Sequence, residues 1–241
     1  MVYRDIEAGA TEDFFWFKAK LELIDILLKK ANIKNRVKIL NVGCGVGKEL
    51  EVMQRYGDMY VIDVDSKAIA LTPYGLCIEK KVCDLYTLPY PDNSFDMVAA
   101  FDVLEHLKDD KLAIGEIHRV LKPDGFFIFT VPAFQFLFSS HDRALQHHRR
   151  YSRKMLKDLL HQFRCTDTGF WVFPLFLPVA IERLLKRNQT VQQIHYRPLP
   201  PFLNNLFYRL LTIENWFIGH RISMPIGTTI YGIYMAEKFP L

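Results

Sequence analysis

The chain has 241 residues, of which 50% are hydrophobic, 14% aromatic and 24% charged. This length predicts one large domain, and the apolar half of the composition excludes a largely disordered chain. Residues 1–140 carry 17 basic and 21 acidic side chains, whereas residues 141–221 carry 13 and 5. The basic second half indicates an anionic partner, either an acidic or phosphorylated substrate, a membrane surface or a nucleic acid; a solvated surface with a chance excess of cations explains it equally well.

The cysteines and the apolar segments indicate the cellular compartment in which the protein is expected. The four cysteines are Cys44, Cys77, Cys83 and Cys165. They form no CxxC pair and no zinc-type spacing with histidine, so we expect reduced thiols in a cytoplasmic protein. The first ten residues contain acids and no apolar segment, unlike a secretion signal. The longest apolar run, 170–181, is short and contains two prolines, so we expect no membrane-spanning helix.

In chain order, helical and strand patterns alternate. Residues 12–31 place apolar side chains at helical spacing and predict an amphipathic helix. Five apolar segments then predict strands: Val37–Gly43, Met59–Asp65, Cys77–Asp84, Met97–Val103 and Phe126–Val131. Helices are predicted from the first strand to about Tyr56, from Ser66, and from Asp109 to about Leu121, and Lys122–Gly125 has the composition of a turn.

After Val131 the pattern changes. Ser152–Phe163 predicts a helix, Thr166–Phe173 a strand and Thr229–Glu237 a last strand. The alternation of strands and helices predicts an α/β fold, with a doubly wound, mostly parallel sheet that carries helices on both faces.

The segment from Ile39 to Gly47 contains three glycines and lies between the first strand and a helix. Glycines in such a turn let the backbone approach a ligand closely at the carboxyl ends of the strands. The third glycine comes one residue too early for the dinucleotide fingerprint GxGxxG, which would place it at 48, where Lys48 stands. The segment therefore predicts a nucleotide-type ligand other than a nicotinamide or flavin dinucleotide.

Two acids strengthen this interpretation. Asp63 closes the second predicted strand, where a carboxylate can accept both ribose hydroxyl protons of an adenosine. Asp84 follows the third strand, where it can accept from an exocyclic amine. Either acid alone would be read as a helix cap or turn residue, but their order behind a glycine turn favours a nucleoside site.

Residues 37–131 resemble the class I S-adenosylmethionine-dependent methyltransferases, of the widespread small-molecule, type 11-like kind. The motifs that carry the resemblance are LNVGCGVG, VIDVDS, CDLYTLPYPDNSFD, FDVLEHL and EIHRVLKPDGFFIFTVP. The segments EDFFWFKAKLELI, HHRRYSRKMLKDLL and PIGTTIYGIYMAEK resemble other parts of such proteins with less specificity. The resemblance implies a Rossmann-like sheet of seven strands, the last antiparallel, with a helical insertion before it.

The whole chain, 1–241, is accordingly expected to be a single methyltransferase domain. Its expected parts are an N-terminal helical segment at 1–36, a cofactor-binding core at 37–173, a helical lid or substrate insertion at 174–226 and a final strand at 227–241. The insertion mixes aromatic and basic residues, which suits interfacial membrane binding, nucleic-acid stacking, an acceptor with an apolar tail, or a lid with its own small core.

The resemblance implies S-adenosyl-L-methionine as cofactor and S-adenosyl-L-homocysteine as product. The implied cofactor-binding residues are Asn41, Gly43, Cys44, Gly45, Gly47, Asp63, Val64, Asp84, Leu85, Phe101 and Asp102. The glycines line the methionine side, Asp63 holds the ribose, and Asp84 meets the adenine edge. Leu104, Glu105 and His106 begin the wall that faces the acceptor. Asn41 departs from the family pattern, which usually places an acid there, so we expect an altered affinity for the cofactor without loss of binding.

The loop after the fifth strand is predicted to cover the acceptor, because it leaves the carboxyl end of that strand. We expect His141 or His148 to act as general base, with His106 as a second candidate. The residues expected to hold an anionic acceptor are Arg143, Arg149, Arg150 and Tyr151. Ligand spacing for a metal is lacking nearby, so none is predicted. The alternative is a basic, exposed loop that caps the Ser152 helix.

These observations predict methyl transfer to a small-molecule acceptor, at an oxygen of an anionic, sugar- or lipid-linked compound. One alternative is a non-catalytic, cofactor-binding interaction module that keeps the fold. A less favoured alternative, an RNA methyltransferase, rests on the basic half alone, and no separate nucleic-acid-binding module is visible. Peripheral membrane contact and a monomer or homodimer are both compatible with the sequence.

Overall fold

A computed structural model describes residues 13–33, 36–189 and 199–237. Predictions for residues 1–12, 34–35, 190–198 and 238–241 lie outside the described residues. Seven strands form one sheet: β1 Val37–Val42, β2 Gly57–Asp63, β3 Glu79–Val82, β4 Phe95–Phe101, β5 Leu121–Pro132, β6 Phe163–Trp171 and β7 Thr229–Ala236. Their spatial order is β3-β2-β1-β4-β5-β7-β6.

The sheet is mostly parallel. The five strands from β1 to β5 pair in parallel, and β7 inserts antiparallel between β5 and β6. The strand order reverses between β1 and β4, so a crevice opens beyond the carboxyl ends of these two strands, where open α/β sheets bind ligands. This topology confirms the predicted doubly wound, seven-stranded sheet with an antiparallel last strand.

Eight α-helices are assigned among the described residues: α1 Phe15–Lys30, α2 Leu50–Met53, α3 Ser66–Leu71, α4 Asp110–Val120, α5 Ser140–Ala144, α6 Arg153–Leu159, α7 Phe176–Leu185 and α8 Pro201–Gly219. One apolar core lies between the sheet and helices that include α1, α2 and α8, and a second core lies on the other face with α4 and α6. Burial on both faces explains why the central strands are almost continuously apolar.

The bounds of several predicted elements differ from the structure; the predicted helix Ser152–Phe163, for example, contains only Arg153–Leu159. The helix after the glycine turn contains only Leu50–Met53 rather than reaching Tyr56. The third strand is shorter than predicted. The predicted turn at Lys122–Gly125 lies inside β5, where Leu121 pairs with Phe95 and Phe126 with Met97, so the strand bulges. Proline supplies no amide hydrogen at this bulge, and Asp124 has a φ of 60°.

The two helices of the 174–226 segment have different neighbours. Helix α8 packs along α1, where the Asn215 side chain donates to the Ala19 carbonyl at 2.9 Å and Tyr208 donates to Glu22. Helix α7 instead approaches the crevice above the sheet, through Val179 and Arg183. Among the described residues, no helix combines the length and apolarity that crossing a membrane requires.

Candidate active site at the carboxyl ends of the strands

The glycine turn begins immediately after β1 and depends on the absence of side chains. Gly43 has a φ of +62°, and a Cβ there would lie 2.6 Å from Val103 Cγ2. Gly47 has a φ of +78°, and a Cβ there would lie 2.9 Å from Thr72 Cγ2. Any larger residue at these positions would therefore distort the turn. The exposed backbone at Gly43 leaves room for a ligand to approach the end of β1.

Asp63, the last residue of β2, fixes this turn. Its Oδ2 accepts the Gly45 amide hydrogen at 2.8 Å, and its Oδ1 accepts the Asp65 amide hydrogen at 2.9 Å. A carboxylate has about four lone-pair positions, so both oxygens can still accept from ribose hydroxyls. Val64 beside it is 70% exposed, as an apolar contact for an adenine ring requires. The turn and Asp63 together fit an adenosine-containing cofactor.

The other predicted cofactor residues vary in exposure. Asn41 is buried near the end of β1, and Leu85 is buried in the core. Asp84 is exposed, and its Oδ1 accepts the Tyr86 amide hydrogen at 2.8 Å. Burial, with a further contribution from Asp63, raises the pKa of the Cys44 thiol to about 12, so this cysteine stays protonated at neutral pH.

A cavity of about 300 Å³ adjoins the turn. Its lining comes from the Gly43 turn, the end of β4 at Phe101 and Asp102, the loop after β5, and helices α1 and α7. The loop contributes His141, Leu145, His147 and Arg150. Four consecutive aromatic residues, Phe14 to Phe17, also line it. The loop after β5 therefore faces the glycine turn across one cavity.

A buried ion pair between Lys20 and Asp102 lines the cavity. Lys20 on α1 is 4% exposed and places its Nζ 2.8 Å from Asp102 Oδ2 and 3.8 Å from Glu49 Oε1. Thr130 donates to the other Asp102 oxygen at 2.9 Å. Burial opposes ionisation of Asp102, but the Lys20 ammonium outweighs it and holds the pKa of the carboxyl below its usual range. Asp102 is thus a charged, fixed group at the end of β4.

Glu105 is the second buried acid of the cavity. It is 1% exposed, and its Oε2 has no hydrogen-bond partner among the described residues. Burial and the neighbouring Asp102 carboxylate raise the pKa of Glu105 well above its usual value. A buried carboxyl oxygen without a partner is costly, which makes Glu105 a functional candidate.

The predicted substrate-binding residues are all engaged by the protein itself. Arg143 donates to the carbonyls of residues 187 and 189. Arg149 lies 2.7 Å from Asp110, and the Tyr151 hydroxyl donates to the same carboxylate at 2.9 Å. Arg150 is 4% exposed and donates to Asp142 at 2.8 Å. Of these four residues, Arg150 is the one that lines the cavity.

The predicted general bases lie in different surroundings. His141 and His106 line the cavity. Burial and the Arg183 guanidinium lower the pKa of His141 to about 3, so its imidazole is neutral at physiological pH. His148 has an exposed side chain outside the cavity lining, and its amide donates to the Glu105 carbonyl at 2.7 Å.

Sequence reasoning missed His147, its neighbour. Its Nδ1 lies 3.2 Å from Oδ1 of Asp142, and its ring meets the His106 ring edge to face at a centroid distance of 4.6 Å. Sequence reasoning also missed two cations that line the cavity, Lys20 and Arg183, because neither lies in a recognisable motif. The resemblance implied Glu105, within the FDVLEHL motif, only as part of the wall that faces the acceptor. The sequence signal for Asp142 was its position three residues after Ser139, as a capping box requires.

Comparison with known proteins shows which proteins this chain resembles and over which residues. Residues 40–129 match the family model described as Methyltransferase domain. Phosphoethanolamine N-methyltransferase 1 of Arabidopsis thaliana is 32% identical over 115 residues, covering 44% of this chain and 23% of that protein. Norajmaline N-methyltransferase of Rauvolfia serpentina is 28% identical over 172 residues, covering 63% of this chain and 57% of that protein. The matches thus span less than two thirds of these relatives.

A solved structure supports the fold over more of the chain. The crystal structure of the [4+2]-cyclase SpnF superposes with a TM-score of 0.63 at 22% identity, covering 93% of this chain and 84% of that chain. At this identity the likeness establishes the fold alone. The glycine turn, Asp63 at the end of β2 and Asp84 after β3 lie within the region that the family model matches.

Proposed function

We propose that this chain, whose residues 40–129 form a class I S-adenosylmethionine-dependent methyltransferase domain, methylates a small-molecule acceptor in the cavity beside the glycine turn. The observation that carries the proposal is the position of that cavity. It is bounded on one side by Gly43 and on the other by the histidine-rich loop after β5. A donor at the turn and an acceptor under the loop would therefore meet in one cavity, which is the arrangement that methyl transfer needs.

The protein's own groups would position the reactants and take up the proton. S-adenosyl-L-methionine, when bound, supplies an electrophilic methyl group on a sulfonium sulfur. Asp63 would accept from the ribose hydroxyls. We assign the proton of an acceptor hydroxyl to His141, which lines the cavity and stays neutral. A low pKa makes His141 a weak base, but a hydroxyl becomes a far stronger acid as its oxygen gains the methyl group, so transfer late in the reaction suffices.

We further propose an oxygen acceptor on an anionic, sugar- or lipid-linked compound. The Arg183 guanidinium lines the cavity and favours a negative charge there, whereas the guanidinium of Arg150 is already paired with Asp142. Helix α7, which lines the cavity through Val179 and Arg183, also exposes an apolar stripe formed by Leu177, Ile181, Leu184 and Leu185. Such a stripe next to basic residues suits an acceptor with an apolar tail or held at a membrane surface.

A nitrogen acceptor is the second candidate. Both relatives described above are named as N-methyltransferases. An amine that arrives neutral needs less help from a base, so this alternative does not require His141. The two candidates therefore differ in what the loss of the His141 imidazole would do.

Calorimetric titration with S-adenosyl-L-methionine and S-adenosyl-L-homocysteine tests the cofactor site. We expect micromolar binding to the natural protein and at least a tenfold loss in Asp63→Ala. Asp58→Ala is the matched control, since Asp58 lies at the opposite end of β2 and pairs with Arg36 at the surface. Binding should be followed by a screen of hydroxyl and amine acceptors for S-adenosyl-L-homocysteine release.

Three results would redirect the proposal. If folded protein binds neither ligand, the site is degenerate, with Asn41 as the first suspect. If it binds both ligands but releases no product with any acceptor, the non-catalytic module is favoured. Tight, salt-sensitive binding of RNA would favour the RNA methyltransferase, because neutralisation of phosphates by the basic half depends on salt concentration.

A further inference from the structure

Three potential metal ligands converge at the wall of the cavity. Glu105 and His106 lie in the 3-10 helix Leu104–His106 after β4, and His147 comes from the loop after β5. Each offers one ligand atom, and these atoms all lie within 4.8 Å of one another. We propose that Glu105, His106 and His147 bind a divalent transition-metal ion such as Zn²⁺. Two imidazoles with one carboxylate form an established ligand set for this class of ion.

The orientation of His147 favours a metal on its remaining nitrogen. Asp142 Oδ1 lies 3.2 Å from His147 Nδ1, so the proton is held on Nδ1 and the Nε2 lone pair is left for a ligand. Asp142 is itself fixed by Arg150 at 2.8 Å and by the Ser139 amide at 2.9 Å. Carboxylate–histidine pairs of this kind orient metal-binding imidazoles and raise their basicity.

Glu105 provides a second, independent observation. Its side chain is almost fully buried, yet Oε2 has no hydrogen-bond partner among the described residues. Asp102 already accepts from Lys20 and Thr130, so the protein uses its available donors there rather than at Glu105. A metal ion bound between Glu105 and the two histidines would satisfy this oxygen.

The charge around the cluster is compatible with a cation. Among the described residues, the charged groups that line the cavity are the acids Glu49, Asp102 and Glu105 and the cations Lys20, Arg150 and Arg183, and the acid Asp142 contacts His147. Acids outnumber cations when Glu105 is ionised, so a divalent ion does not enter a net positive site. Three protein ligands leave coordination positions for water or for an acceptor oxygen in the cavity.

Metal binding is tested without any acceptor, so its failure is distinguishable from failure of the proposed function. Chelator-treated protein is titrated with Co²⁺, followed by visible absorption, and with Zn²⁺, followed by calorimetry. We expect one equivalent to bind at micromolar concentration. His147→Asn and Glu105→Gln should each weaken binding at least tenfold, as loss of one ligand from three predicts. His161→Asn is the matched control, since His161 is exposed, lies just beyond the end of α6 and is not one of the three proposed ligands.

Two results would overturn the proposal: no binding of either ion up to millimolar concentration, or equal weakening by His161→Asn, which would indicate binding at the surface. Circular dichroism shows whether the variants fold. If they do not, X-ray absorption of the Zn²⁺-loaded natural protein decides instead, since the proposal requires two imidazole nitrogens and an oxygen in the coordination sphere. Any other ligand set refutes it.

Discussion

The charge state of His141 is set by the residues around it rather than by its own type. Burial and Arg183 disfavour the imidazolium, with smaller contributions from His147 and Arg150, and the nearby Asp142 opposes them only partly. The pKa of about 3 places its titration far below the physiological range. Because His141 stays neutral throughout the physiological pH range, its ability to accept a proton does not depend on pH there.

Replacement of His141 by Asn separates the two acceptor candidates. With a hydroxyl acceptor we expect kcat to fall by about 100-fold, the lower end of the usual contribution of a general base, while the Kd for S-adenosyl-L-methionine stays unchanged. Because the imidazole is neutral above pH of about 3, the natural protein should show no loss of kcat through His141 between pH 8 and 5. Steady-state kinetics across this range measures both quantities, with His220→Asn at an exposed position as control. A fall near pH 6.5 that His141→Asn abolishes would contradict the assignment.

The sequence could identify the loop but not which of its side chains enter the cavity. His147 and His148 are adjacent, yet His147 lines the cavity and His148 is exposed. Tertiary contacts decide between them, since Asp142 holds the first imidazole and the second residue is tied to Glu105 through its backbone. Neither contact follows from spacing along the chain. By contrast, the glycines and Asp63 could be placed because strand ends fix their positions.

At the scale of elements, one ion pair joins α1 to the end of β4. Lys20 occupies a position on the buried side of α1, and Asp102 follows the last residue of β4 with a φ of 56°. The helix itself could be predicted from its apolar spacing. The role of Lys20 could not, because only the packed structure brings it to a carboxylate 82 positions later.

Lys20→Met should destabilise the protein by about 3–5 kcal/mol, because Asp102 and Glu49 would lose their buried counter-charge. Urea unfolding, followed by circular dichroism, measures the change. Lys18→Met is the control on the same helix, since Lys18 pairs with Asp13 at the surface and should have little effect. The double variant Lys20→Met/Asp102→Asn should recover part of the loss. A single variant as stable as the natural protein would show that the pair is dispensable.

For the whole molecule, the sheet and its two apolar faces could be predicted, because alternating strands and helices allow few topologies. The bulge in β5 could not, since Lys122–Gly125 has the composition of a turn whether or not pairing continues beyond it. The position of α8 along α1 also escaped prediction. Amphipathic spacing shows that a helix has an apolar face but does not say which element covers it.

Glu214 links α8 to the end of β6 and gives global stability a pH dependence. Its carboxyl oxygens accept the amide hydrogens of Val172 and Phe173 at 3.1 Å. Burial nevertheless raises the pKa of Glu214 to about 7, whereas an unfolded chain has a value of about 4.3. The folded state therefore retains a proton that the unfolded state releases, and the free energy of unfolding should fall as pH rises from about 4.5 to 7.

The shift corresponds to a loss of about 3 kcal/mol across that range. We expect Glu214→Gln to remove this part of the slope, because the amide keeps one oxygen for the backbone donors and cannot ionise. Urea unfolding at intervals between pH 4.5 and 7.5 measures the difference between the two proteins, so that contributions from other groups cancel. Glu182→Gln, at an exposed position on α7, should leave the slope unchanged. Parallel curves for the natural protein and Glu214→Gln would mean that Glu214 is already ionised in the folded state and that its two amide contacts outweigh its burial.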